Sequence, residues 1–245
     1  MITIFRAAFV VLCVLIPSAV FADGMIYQLP ADGTWARFDF DGKGTEPDGK
    51  VVTMIGTLTL SSVGAAEVDG EPCRWIEIAM ESKREGQVFT AIHKLLIPEK
   101  HIGKGKEPLE HVQKAWFMHS MIADGTPRQI EDLKGTGARQ LAALRPFLHG
   151  PIKTSEKLDK VAVESKLGKL ECEGITAQER TDNPGNVSYD STYTIRLHAT
   201  APFGVVTFEN TMKVERDGKS QGTMTGKMKL LDFGTDAKSA VPDSK

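Results

Sequence analysis

The sequence predicts an α+β protein: a large, curved antiparallel β-sheet, an open half-barrel, with a central block of short helices packed on one face. Three observations predict it. Stretches in the first and last thirds alternate apolar and polar residues, the period of a half-buried strand. Turn-length joints separate those stretches, so they read as antiparallel hairpins and not as βαβ units. Between them, from about 100 to 150, the apolar residues move to helical spacing.

The elements follow in order. Trp35 to Phe40 alternates and reads as a strand, and Asp41 to Lys50 as a turn-rich loop. Val51 to Ser62 resumes the alternation, with Leu58 and Leu60 on one face and Thr57 and Thr59 on the other. Val68-Asp69-Gly70-Glu71-Pro72 is a turn. Arg74 to Glu81 sets Ile76, Ile78 and Met80 against Glu77 and Glu81, and Val88 to Ile97 is an apolar-rich strand ending at Pro98.

In the middle third, Leu109, Val112 and Trp116 recur at helical spacing over Glu107 to His119, with Glu110 and Lys114 as a favourable i,i+4 pair. Thr126-Pro127-Arg128-Gln129 has the form of a capping-box helix start. Ala138 to Leu148 is a third helical stretch, kinked or ended by Pro146. The last third returns to strands. Lys160 to Ser165 and Lys169 to Glu179 come first, then Val187 to Ala199 with Tyr193, Ile195 and Leu197 on one face. Val205 to Glu215 turns Phe208, Met212 and Val214 inward, Asp217-Gly218 begins a turn, and Thr223 to Phe233 alternates through Met224, Met228 and Leu230. Residues 237–245 read as a disordered polar tail.

The first 22 residues have the parts of a secretory signal peptide. Arg6 supplies the positive charge, Ala7 to Ile16 the apolar run, and Val20-Phe21-Ala22 the small-residue cleavage site. The run is shorter than the ~20 residues needed to cross a bilayer. Leu12 before Cys13 does not fit lipid attachment. Cleavage after Ala22 leaves 223 of the 245 residues, residues 23–236 forming one β-rich domain, exported to a periplasmic or extracellular space. No later stretch reaches transmembrane length. A formal charge of −2 with interspersed signs leaves no electrostatic footprint for nucleic acid. In an oxidising compartment Cys73 and Cys172 could form a disulfide; the alternative is two separate buried thiols.

Catalytic signatures are sparse. Gly44 to Lys50 has P-loop spacing, but Val51 stands where a Ser or Thr must reach Mg²⁺. Asp39-Phe40-Asp41 begins like a calcium loop, but Lys43 and Lys50 occupy ligand positions. Neither a Gly-x-Ser-x-Gly elbow nor an HExxH pair occurs. No metal site and no cofactor is implied.

The export signal, the paired antiparallel runs, the central helical block and the phrase Ala201-Pro202-Phe203-Gly204-Val205-Val206 resemble exported bacterial proteins of the lipoprotein-carrier superfamily, the LolA-like proteins. The resemblance implies a curved, incomplete barrel closed by helices around an apolar cavity for acyl chains, and hence a lipid or a lipoprotein acyl chain as partner. It carries over no single functional residue.

The leading expectation is a binding protein and not an enzyme, holding an apolar ligand between the concave sheet and the helices. Its candidate lining is Leu58, Leu60, Ile76, Ile78, Met80, Trp116, Phe208, Met212, Met224 and Met228, methionine being adaptable to varied apolar ligands. The bland reading of each is ordinary core. Two alternatives stand beside it: an envelope structural or interaction protein, and a hydrolase assembled from His111, His119 and nearby carboxylates.

Overall fold

The computed structural model describes residues 24–45, 47–84, 87–120, 125–142, 144–148, 152, 154–183 and 186–241. The proposed signal peptide lies outside them.

Among the described residues the protein is nearly all β, with 64% in strands and 8% in helices. One antiparallel sheet of eleven strands runs through the described residues. In chain order these are β1 (Trp35–Thr45), β2 (Val51–Val68), β3 (Glu71–Arg84), β4 (Gln87–Pro98), β5 (Lys114–His119), β6 (Arg128–Gln129), β7 (Ser155–Ser165), β8 (Gly168–Asn183), β9 (Val187–Leu197), β10 (Val205–Arg216) and β11 (Lys219–Gly234). The spatial order is β6-β5-β4-β3-β2-β1-β11-β10-β9-β8-β7. The chain thus meanders from β1 out to one edge, crosses to the other edge, and meanders back to pair β11 with β1. Asp69-Gly70 and Asp217-Gly218 both take positive φ, as tight hairpin turns require.

The helical block is a correction. Glu107 to His119 is a short 3-10 turn, Pro108–His111, followed by β5. The capping-box phrase leads into β6. Trp116 sits opposite Lys94 on one side and Gln129 on the other. Ladder pairing to β4 supplies backbone partners that an isolated helix of this length could not match, so tertiary context overrides the local spacing. Only α1 (Thr136–Ala142) and α2 (Arg145–Leu148) are α-helical among the described residues, and Pro146 falls in the first turn of α2, where proline is tolerated. They belong to the crossing between the two sheet edges.

The sheet is strongly coiled. Bulges interrupt β1–β11, β2–β3, β7–β8, β9–β10 and β10–β11, and each adds local twist. The β7–β8 turn returns to β11, where Lys166 Nζ lies 2.8 Å from Asp232 Oδ1.

The concave face holds one core: Phe38, Leu58, Leu60, Ile76, Ile78, Leu95, Ile195, Phe208 and Leu230, all buried. Two irregular segments fill it. The lead contributes Met25 and Ile26, and is tied down by Met25 N–H to the Phe147 carbonyl and Tyr27 N–H to the Phe203 carbonyl. The crossing contributes Ile130, Leu141, Leu144, Leu148 and Ile152.

The tail segment and the two cysteines also take definite places among the described residues. Residues 237–241 are seated: Ala237 N–H donates to the Gly33 carbonyl, and Val241 is fully buried. Cys73 and Cys172 are free, buried thiols on β3 and β8, with five strands between them in the sheet. Burial raises both thiols above their ordinary value.

Candidate functional site

Directly opposed residues in antiparallel strands share a face, so the register sorts the ten candidate side chains. Phe38 faces Leu58 and Leu230, Leu58 faces Met80, Leu60 faces Ile78, and Ser62 faces Ile76. Phe208 faces Met228, and Met212 faces Met224. Nine of the ten therefore lie on the concave face. Trp116 does not: it lies opposite Lys94 on the convex face, edge-on to Trp75 with ring centroids 5.3 Å apart.

The nine divide by depth. Leu58, Leu60, Ile76, Ile78, Phe208 and Met228 are closed off by the packed core. Met80 and Met212 are half-buried, and Met224 is 48% exposed. The concave face is thus filled at one end and open at the other.

A hollow of about 300 Å³ opens at that second end. Its apolar walls are Phe40, Val52, Met54, Val214 and Met224, and Gly42, Gly44 and Gly222 help form its floor. Lys43, Thr45, Gln221, Thr223 and Thr225 complete the rim. The glycines explain the space. Phe38, Phe40, Gly42 and Gly44 alternate along the concave side of β1, facing Leu58, Gly56, Met54 and Val52 in turn. Two consecutive inward positions carry no side chain. A Cβ on Gly44 would find its nearest neighbours at 3.9 and 4.0 Å, whereas one on Gly42 would come within 2.7 Å of the Phe40 ring. Phe40 therefore already lies over Gly42 and closes the hollow on its core side.

Of the residues lining this hollow, only Met224 is among the ten. Asp41 to Lys50 reads as a loop in sequence because Gly, Lys and Asp are turn-rich, yet β1 runs through Thr45. The signal that would have found the site is the period of two, with glycine continuing the inward series after Phe38 and Phe40.

The histidines gather in two pairs, His101 with His111 and His93 with His119, and none of the four lines the hollow. His111 stacks on His101 at 3.4 Å between centroids, and His119 lies 5.9 Å from Phe117. Burial, and then the facing His111, lower the pKa of His101. His93 is on the concave face beside Phe117, and burial followed by the His119 charge lowers it to about 4. Neither His111 nor His119 lines the hollow. No group of three His, Cys, Asp or Glu side chains is arranged to hold a metal among the described residues. No helix among them is long and apolar enough to cross a membrane.

No family model matches the chain, and no curated protein does. Among solved structures, a proposed exported protein with a YmcC-like fold from Bacteroides fragilis aligns over 87% of this chain and 100% of its own, at 9% identity and a TM-score of 0.30. A DUF1329 family protein from Desulfovibrio piger aligns over 86% and 88%, at 11% identity and a TM-score of 0.33. A β-barrel-like protein of the domain of unknown function DUF1849 from Brucella abortus aligns over 85% and 98%, at 9% identity and a TM-score of 0.28. Similarity at this level lends no weight to any particular activity.

Proposed function

We propose that the chain is an exported binding protein that takes an apolar chain, such as the acyl chain of a lipid or lipoprotein, at the open end of its coiled sheet. The observation that carries this reading is the hollow of about 300 Å³, walled by Phe40, Val52, Met54 and Met224 over inward-facing glycines. Its size is at the lower end of small-molecule sites, and a mostly apolar wall with a polar rim is their usual character. A solvent-exposed apolar concavity of this kind costs hydration free energy when empty, and an apolar occupant removes that cost. The N-terminal charge, apolar run and cleavage motif support export.

The test is native mass spectrometry of the protein purified from its own compartment, followed by solvent extraction and by reloading with an acyl-chain mixture. A stoichiometric, extractable mass excess is expected. Gly44→Trp should abolish it, because Gly44 has room for a side chain pointing into the hollow. A bare mass before and after reloading would remove the carrier reading and leave an envelope interaction protein.

A further inference from the structure

The convex face of β3 and β4 carries an arrangement that apolar-ligand binding does not use. Glu77 and Lys94 sit directly opposite each other, and both side chains are almost completely buried, at 3% and 2% exposure. Convex positions of an open sheet normally face water, and charged residues are almost never buried without partners. Here the partner is the chain's own C-terminal segment. The Glu77 carboxylate accepts the Ser239 hydroxyl, the Ala240 N–H at 2.9 Å and the Val241 N–H at 3.3 Å. The Lys94 ammonium donates to the Val241 carbonyl at 3.0 Å and also lies 5.1 Å from the centre of the Trp75 ring. Val241 itself is fully buried.

These contacts read backbone more than side chain. A carboxylate takes two successive amide protons, and an ammonium takes the carbonyl that follows. Charge-assisted hydrogen bonds to main chain, with a buried aliphatic residue beside them, are the chemistry of peptide recognition. We infer that the Glu77–Lys94 face, flanked by Trp75, is a binding site for a peptide that bends to present a hydroxyl and two successive amides to Glu77 and buries the aliphatic residue that follows. The segment Ser239-Ala240-Val241 occupies that site in cis. A tethered occupant has an effective concentration in the millimolar range, so a free peptide of similar sequence enters only when the tail is released.

The experiment uses full-length protein and a fluorescein-labelled synthetic peptide spanning Asp236 to Lys245. Ala240→Pro removes the N–H given to the Glu77 Oε2 and releases the tail. Fluorescence anisotropy should show the peptide binding A240P at least tenfold more tightly than the wild type. Adding Glu77→Gln to A240P should lose at least tenfold, and a peptide with Val241→Asp should not compete. Where A240P does not accumulate, Val241→Asp in the protein releases the tail by placing a charge in a buried position, and the same comparison is made. Peptide binding no tighter than wild type in a variant that still unfolds cooperatively would overturn the inference. So would binding indifferent to Glu77→Gln, or a wild-type mass of two copies, which would place the tail on a partner molecule. Acyl-chain loading of A240P reports on the concave hollow separately, so failure of one site is distinguishable from failure of the other.

Discussion

Lys166 and Asp232 meet at 2.8 Å although four strand spacings separate β7 from β11. In a flat sheet that is ~19 Å, farther than the two side chains reach. The ion pair therefore marks where the sheet has coiled until its β7–β8 turn touches β11.

The pair gives a titration prediction. The Lys166 hydrogen bond, then the Phe233 N–H, holds the Asp232 carboxyl below its ordinary value. Because the folded value is the lower one, the associated stabilisation is present above the ordinary value and is lost as pH falls through the folded one. Lys166→Met should move the Asp232 titration back up toward 3.8, read by NMR. An unchanged titration would show that the Phe233 amide and Arg37 set it without Lys166.

His93 predicts acid lability at a higher pH. Folded His93 stays neutral down to about 4, while its unfolded value is 6.5. Between those values the unfolded state binds a proton that the folded state does not, so stability falls as pH drops from 6.5 and the loss is complete near 4. The shift corresponds to about 3 kcal/mol at most. Thermal unfolding of His93→Leu should flatten this dependence. Equal slopes in variant and wild type would place the lability elsewhere.

Two glycines should behave oppositely. A Cβ on Gly56 would sit 1.9 Å from the Glu81 carbonyl oxygen, which is backbone and cannot swing away. Gly56→Ala should cost about 3 kcal/mol in a denaturant titration. Gly44→Ala has free space and should change stability by about 0.5 kcal/mol or less. Similar costs at both positions would mean that Gly44 is constrained by more than space.

The division of the concave face into core and groove can be measured directly. Phe208→Ala should destabilise by about 3–5 kcal/mol, because Phe208 is closed off in the core. Met224→Ala should leave stability nearly unchanged and weaken acyl-chain loading instead. A large stability loss at Met224 would make it core.

The thiols supply a fifth test. Cys73 and Cys172 should resist Ellman's reagent in the folded protein and both react in denaturant without reductant. Failure to react in denaturant would restore a disulfide.

The alternation of Leu58 with Leu60, Tyr193 with Ile195, and Met228 with Leu230 was legible because a period of two survives in local sequence whatever the partner strand. Trp116 was not legible. Its helical spacing with Leu109 and Val112 is a local signal, and pairing with Lys94 is not. Gly42 and Gly44 read as loop because a glycine announces freedom and not the strand that uses it.

By itself, then, the sequence determined most of the strands, their inward residues and two of the Asp-Gly turns, since each depends on neighbours one to four residues away. Tertiary structure alone decided that β5 is a strand, that β1 closes on β11, and that the tail lies on Glu77 and Lys94. It also decided that the expected ligand cavity is mostly filled core with a smaller hollow at one end. Those outcomes rest on contacts between residues more than 200 positions apart in the chain, such as Trp35 with Asp236. Which distant backbone or apolar surface satisfies a segment is a property of the packed whole, and no local pattern carries it.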